Sequence, residues 1–229
     1  MIPQLPLWLA VVFILTTGCT LYLFYRATRH SRPIVLCLVA WLLLQAIITL
    51  NGVYTDTAAS PPRIFLFGIL PPMLVIVLLF VTKGGRQFID SLPLAQLTYL
   101  HIVRIPVEIV LFGLFLHDAV PQLMTFEGRN FDILAGITAP LVAYYGIGKK
   151  KMSRTMLLIW NFVCLGLLLN IVIHAFLSAP SPLQQLAFDQ PNIAIGYFPF
   201  SWLPTFVVPV VLFAHLAAIR RLYADHHFL

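Results

Sequence analysis

Apolar residues in this chain fall into seven long runs, separated by short stretches that hold most of its charge. Each run is roughly 18 to 25 residues, the length needed to cross about 30 Å of hydrocarbon as a helix. The pattern predicts helices over 6–25, 33–54, 64–82, 94–117, 131–148, 155–178 and 202–222. The fold class is therefore an all-α integral membrane protein with seven transmembrane helices, a single domain over residues 1–229 with no soluble domain.

Composition agrees: 60% of residues are hydrophobic, 10% are charged and the mean hydropathy is +0.94, outside the range of a soluble globular domain. The distribution of charge adds an orientation. Arg26, Arg29, Arg32, Lys83, Arg86, Lys149, Lys150, Lys151, Arg154, Arg220 and Arg221 all fall between or after the runs on one side, whereas the other side has only Arg63 and Arg129. Basic loops stay in the cytoplasm, so the N-terminus is expected outside, the C-terminus cytoplasmic and the membrane the plasma membrane. The net charge of +6 is explained by this asymmetry and calls for no nucleic acid. The lipid bilayer is the required partner, and a homo-oligomer is compatible. No Lys or Arg precedes the first run, which argues against a cleaved leader. Cys19, Cys37 and Cys164 lie inside apolar runs and are expected to be packed free thiols.

Punctuation within the runs predicts further detail. Pro71, Pro72, Pro106, Pro140, Pro204 and Pro209 sit inside expected helices and should kink them. Residues 84–91 are expected flat on the cytoplasmic surface. The apolar segment before Trp202, with Tyr197, Phe198 and Phe200, suggests an interfacial helix or a re-entrant cap. A weak repeat aligns residues 67–80 with 200–213 at seven of fourteen positions, and places Gln45 opposite Asn170. It would make a 3+1+3 arrangement, two three-helix units joined by the fourth helix.

That fourth run carries His101, Arg104 and Glu108 well inside its span. At about 100° per residue the three share one stripe, Arg104 about 60° and Glu108 about 20° from His101. Ionisable groups at such depth face a protein interior or a cavity. Two readings arise: an intrahelical Arg104–Glu108 pair at i,i+4, or a ligand site in which Arg104 holds an anion while His101 and Glu108 relay protons. Gln45 and Asn170 would line the same cavity; Asn161, one helix over, adds polarity.

The sequence requires no cofactor, though its histidines allow two. His117, Asp118, Glu127, His174 and Asp189 collect on the outer side and have zinc-ligand chemistry, without a tight ligand motif. Haem would need His101 to meet His215 and His117 to meet His174. The separation of His101 from His117 turns them roughly 160° apart, against that geometry. His226 and His227 lie beyond the last run. Three function classes follow: binding and translocation of a small polar or anionic solute in an intramembrane polar cavity, coupled to protons; a membrane-embedded enzyme with a His/carboxylate metal site on the outer side; or a sensor acting through a separate partner. Whether the chain is an enzyme stays open at this level.

Overall fold

The computed structural model describes residue 2 and residues 5–224, which leaves His226 and His227 outside the described residues. All regular structure within them is helical. In chain order the helices are α1 (Leu7–Ala27), α2 (Arg32–Leu50), α3 (Leu70–Val81), α4 (Lys83–Ser91), α5 (Leu94–Tyr99), α6 (Arg104–Phe115), α7 (Ile133–Leu141), α8 (Arg154–Leu177) and α9 (Val208–Ala224). Five continuous segments are long and apolar enough to cross a bilayer: α1, α2, Leu94–Phe115, α8 and Leu203–Ala224. A sixth results if Phe65–Val81 and α4, bent by 92°, are counted as one span. Helix occupies every predicted stretch, but Ile133–Gly148 and Phe65–Val81 are short; at 1.5 Å per residue each runs only about 25 Å.

Every proline inside the bundle lies in or beside a turn that is not α-helical. A π-helical turn, Phe65–Ile69, leads into α3 ahead of Pro71 and Pro72. A 3-10 turn, Leu100–Val103, joins α5 to α6 just before Pro106. Another π segment, Val142–Gly148, extends α7 after Pro140, and a third, Leu203–Val207, contains Pro204 and precedes Pro209. Proline lacks the N–H for the regular ladder and crowds the preceding carbonyl, so the backbone widens or tightens there. Side chains of α2 satisfy carbonyls at two of these turns. Gln45 Nε2 donates to Phe67 O at 3.0 Å and Trp41 Nε1 to Thr205 O at 2.9 Å. Tyr54 in turn donates to Gln45 Oε1 at 2.5 Å. In the alignment of 67–80 with 200–213, the two π turns fall five positions out of register, so the local geometry of the weak repeat is not repeated.

Leu94–Phe115 and Leu203–Ala224 are the most buried of the spanning segments, and the others pack round them. Close approach to α6 depends on two glycines. A Cβ on Gly113 would stand 2.3 Å from Leu9 Cδ2 of α1, and one on Gly136 of α7 would stand 3.1 Å from the backbone N of Ile105. The outward faces are large and apolar: Leu36, Leu78 and Ile159 are all exposed, as lipid-facing side chains must be. Cys19 and Cys37 are on those faces too; of the three thiols only Cys164 is packed inside.

The ends of the bundle are closed by shorter pieces. α4 turns across one end, and Asp90 takes both a Nε and a Nη2 bond from Arg220 of α9, at 3.0 and 2.8 Å. At the other end the segment before Trp202 does not form the surface helix expected as one alternative. It is irregular chain with a single 3-10 turn, Ala194–Gly196. It is tied down by Ile193 N and Ala194 N to Ala119 O, both 3.1 Å, and by Asn192 N to Ser178 O at 2.8 Å.

Candidate functional site

The three ionisable residues of the fourth run do point inward: His101, Arg104 and Glu108 are 0%, 2% and 1% exposed. What they meet comes from three other elements. The turn before α7 is folded into the bundle, where Asn130 Oδ1 accepts from Asp132 N at 3.1 Å. Asn130 Nδ2 donates to Met124 O at 3.0 Å and also to Glu108 Oε1. Asp132, at the N-terminus of α7, accepts from Arg104 Nη1 at 2.9 Å. The same Nη1 reaches Cys164 O of α8 at 3.3 Å, and Nη2 lies 3.0 Å from His215 Nε2 of α9.

Guanidinium groups only donate, so His215 Nε2 must be the acceptor. Its proton then sits on Nδ1, which donates to Asn161 Oδ1 of α8 at 3.0 Å. Asn161 in turn donates to Leu157 O at 2.9 Å. Arg104 is thus held by an ion pair and two further acceptors, and the intrahelical Arg104–Glu108 pair allowed by the spacing is replaced by Arg104–Asp132. His101 stacks on His215 with ring centroids 3.8 Å apart and meets Trp160 edge-on at 5.7 Å. Among the described residues neither ring nitrogen of His101 has a hydrogen-bond partner, so no direct bond links it to Glu108. The two histidines do meet, but face to face. Stacked rings do not aim their nitrogens at a common iron from opposite sides, which removes the haem geometry.

Beside this network lies a partly open cleft of about 400 Å³ between the third, fourth, sixth and seventh runs. Its walls are almost wholly apolar, with Met73, Leu111, Val172 and Leu212 among them, and Glu108 and Asp132 are its acidic residues. Phe65 and Phe176 join the two flanking helices at one end, centroids 4.7 Å apart. The polar cavity expected from the sequence is therefore an apolar one with a carboxyl edge. Arg104 does not line it. Glu108 does, and its buried Oε2 has no hydrogen-bond partner among the described residues.

Two residues assigned to the cavity lie elsewhere. Gln45 is buried between Tyr54 and Phe67, as a support for the π turn. Asn170 donates to Arg129 O at 2.8 Å and so clamps the turn that carries Asn130 and Asp132. It positions the site without entering it. The outer-side set does not converge: among the described residues no three His, Cys, Asp or Glu side chains form a group that could hold a metal. His117, Asp118, Glu127 and Asp189 are exposed and His174 is half-buried. His117 Nδ1 and His174 Nδ1 each bond the carbonyl one turn back, Gly113 O and Asn170 O, both at 2.8 Å. The physical reason is ordinary: a histidine near a helix end satisfies itself on its own helix.

Four members of the network, Asn130, Asp132, Asn161 and His215, were not assigned to one site by the sequence. The available signal was Arg104 itself, because a buried guanidinium requires a counter-ion and Asp132 opens the next helix. No curated protein and no solved structure matches the chain significantly. Residues 61–223 match the family model described as Domain of unknown function (DUF8737). That match takes in α3 to α9 and so every residue of the buried network, and the chain belongs to this family.

Proposed function

We propose that the protein is a seven-pass membrane protein, N-terminus outside, that binds a small solute in the intramembrane cleft and moves it across with proton exchange at Glu108. Seven crossings require Phe65–Val81 and Ile133–Gly148 to span despite their length, which short helices do by local bilayer thinning. The distribution of Lys and Arg supports the orientation. One observation carries the functional reading. Glu108 is a wall residue of the cleft with one carboxyl oxygen unpartnered, while the nearby cation is already neutralised by Asp132. A carboxyl group in an apolar wall needs either a proton or a donor from a ligand, and exchanging one for the other couples the two. Arg104, engaged on three acceptors, supports the cleft and does not take the solute as an anion holder would.

The test has two parts. A panel of small solutes is screened by thermal shift on detergent-purified wild type and Glu108→Gln. Hits are then assayed for uptake into proteoliposomes containing a pH-sensitive dye. Solutes that stabilise wild type only, and enter with a change of internal pH, are the expected result. Identical responses of both proteins to every solute would remove Glu108 from the site. For the topology, Ser60→Cys and Ser153→Cys, both at exposed positions, should label with an impermeant maleimide from opposite sides of the membrane.

A further inference from the structure

The chemistry of the cleft selects among solutes. This step rests on the cleft being a binding site, and it concerns what kind of molecule fits. Consider first an anion. The Arg104 charge is cancelled by Asp132 at 2.9 Å and the side chain does not line the cleft, so a carboxylate or phosphate would meet only two carboxyl groups, Glu108 and Asp132, and hydrocarbon. A sugar-like molecule fares no better: its many hydroxyls would lose water against walls in which every residue but Glu108 and Asp132 is apolar. A purely apolar molecule would fill the walls and leave Glu108 Oε2 without a partner. What remains is a compact apolar body with one cationic donor.

We propose that the cleft takes a lipophilic amine, its ammonium donating to Glu108 Oε2 and its hydrocarbon body lying along the walls formed by Met73, Leu111, Val172 and Leu212. The volume, about 400 Å³, is within the range of pockets that enclose small organic ligands. The Arg104–Asp132 pair is neutral as a unit, so the wall's net charge is that of Glu108. An ammonium supplies the countercharge that a carboxylate in such surroundings needs, together with a hydrogen bond stronger than a neutral one. Asn130, donating to the other carboxyl oxygen, leaves Oε2, itself buried in the unliganded protein, as the oxygen without a partner among the described residues.

Three probes with the same rigid body separate the possibilities: 1-adamantylamine, 1-adamantanol and adamantane-1-carboxylate. Binding of each to the full-length protein in detergent is measured by isothermal titration. The amine is expected to bind at least tenfold tighter than the alcohol, and the carboxylate weaker than both. Glu108→Gln should lower the amine to the level of the alcohol without affecting the alcohol. Val172→Phe, which fills the cleft from one wall, should weaken amine and alcohol alike; monodisperse elution and an unchanged helical circular dichroism spectrum verify that both variants fold. Tighter binding of the carboxylate, or amine binding that Glu108→Gln leaves unchanged, overturns the amine assignment. If that binding is nevertheless lost in Val172→Phe, the cleft stands as a binding site with a different ligand class. Binding of the probes that neither variant alters overturns the amine and the cleft together, and so does an absence of binding by all three.

Discussion

Replacing Asp132 by Asn tests the central pair of the bundle. Arg104 and Asp132 are 2% and 5% exposed, and their 2.9 Å contact is the only ion pair Arg104 makes among the described residues. Asp132→Asn keeps the shape of the side chain and removes its charge. The guanidinium then remains inside the bundle with neutral acceptors alone: the amide oxygen at position 132, Cys164 O and His215 Nε2. Breaking a buried pair in this way costs about 3–5 kcal/mol, most of it the uncompensated charge. For a chain of this size that corresponds to a drop in melting temperature on the order of 10 °C. The assay is thermal unfolding in detergent followed by thiol exposure at Cys164, the packed cysteine. Arg104→Met with Asp132→Leu should recover much of the loss, because neither charge is then buried. The recovery stays incomplete, since His215 Nε2 loses its donor at about 1–3 kcal/mol, whereas Cys164 O, inside α8, keeps its place in the helix ladder. The alternative pairing gives the opposite ranking. If Glu108 were the counter-ion of Arg104, Glu108→Gln would be the costly change and Asp132→Asn nearly neutral, and that result would refute the assignment.

Two further substitutions probe how the site is held. Gly136→Ala places a methyl 2.9 Å from Ile105 Cγ1 and 3.1 Å from Ile105 N. It should cost about 1–3 kcal/mol by overpacking and disturb Arg104 through its backbone; Gly166→Ala, where a Cβ meets nothing within 4 Å, is the control and should not destabilise in the same thermal assay. Gln45→Leu leaves Phe67 O and the Tyr54 hydroxyl without their partners, a loss of about 1–3 kcal/mol, while ligand binding in the cleft is unaffected; a selective loss of binding with normal stability would return Gln45 to the site.

Helices were legible in the sequence because a run of 20 apolar residues has few other fates in a membrane chain. The inward stripe of His101, Arg104 and Glu108 was legible for the same reason: helical phase and the cost of a charge in lipid act within one segment. Three things were hidden. A break between the third run and the flat 84–91 stretch was expected, but its angle, 92°, is set by Thr82 and by packing against α9, which no period reports. Whether the segment before Trp202 forms a helix depends on carbonyls such as Ala119 O that are far away in the chain. Polarity of the cavity was misjudged because polar residues on inward faces pair with one another. Once Asn130 meets Glu108, Asp132 meets Arg104 and Asn161 meets His215, what remains to line an opening is Leu, Val and Met.

The choice of Asp132 over Glu108 follows from the direction of helical side chains. Cβ atoms lean toward the helix N-terminus, so a long side chain covers the turn before its own residue. Arg104 precedes Glu108 and therefore extends away from it; the favourable order at i,i+4 puts the acid first. The guanidinium instead lies beside the start of α7, where the turn clamped by Asn170 to Arg129 O delivers Asp132. A consequence reaches the cleft. With the cation occupied, Glu108 keeps a single bond, from Asn130, and retains Oε2 unpartnered at an apolar wall. The reverse order, acid at 104 and base at 108, is the one that favours closing the pair within one helix. The order of two charges along one helix thus decides whether Glu108 is tied to Arg104 or held by Asn130.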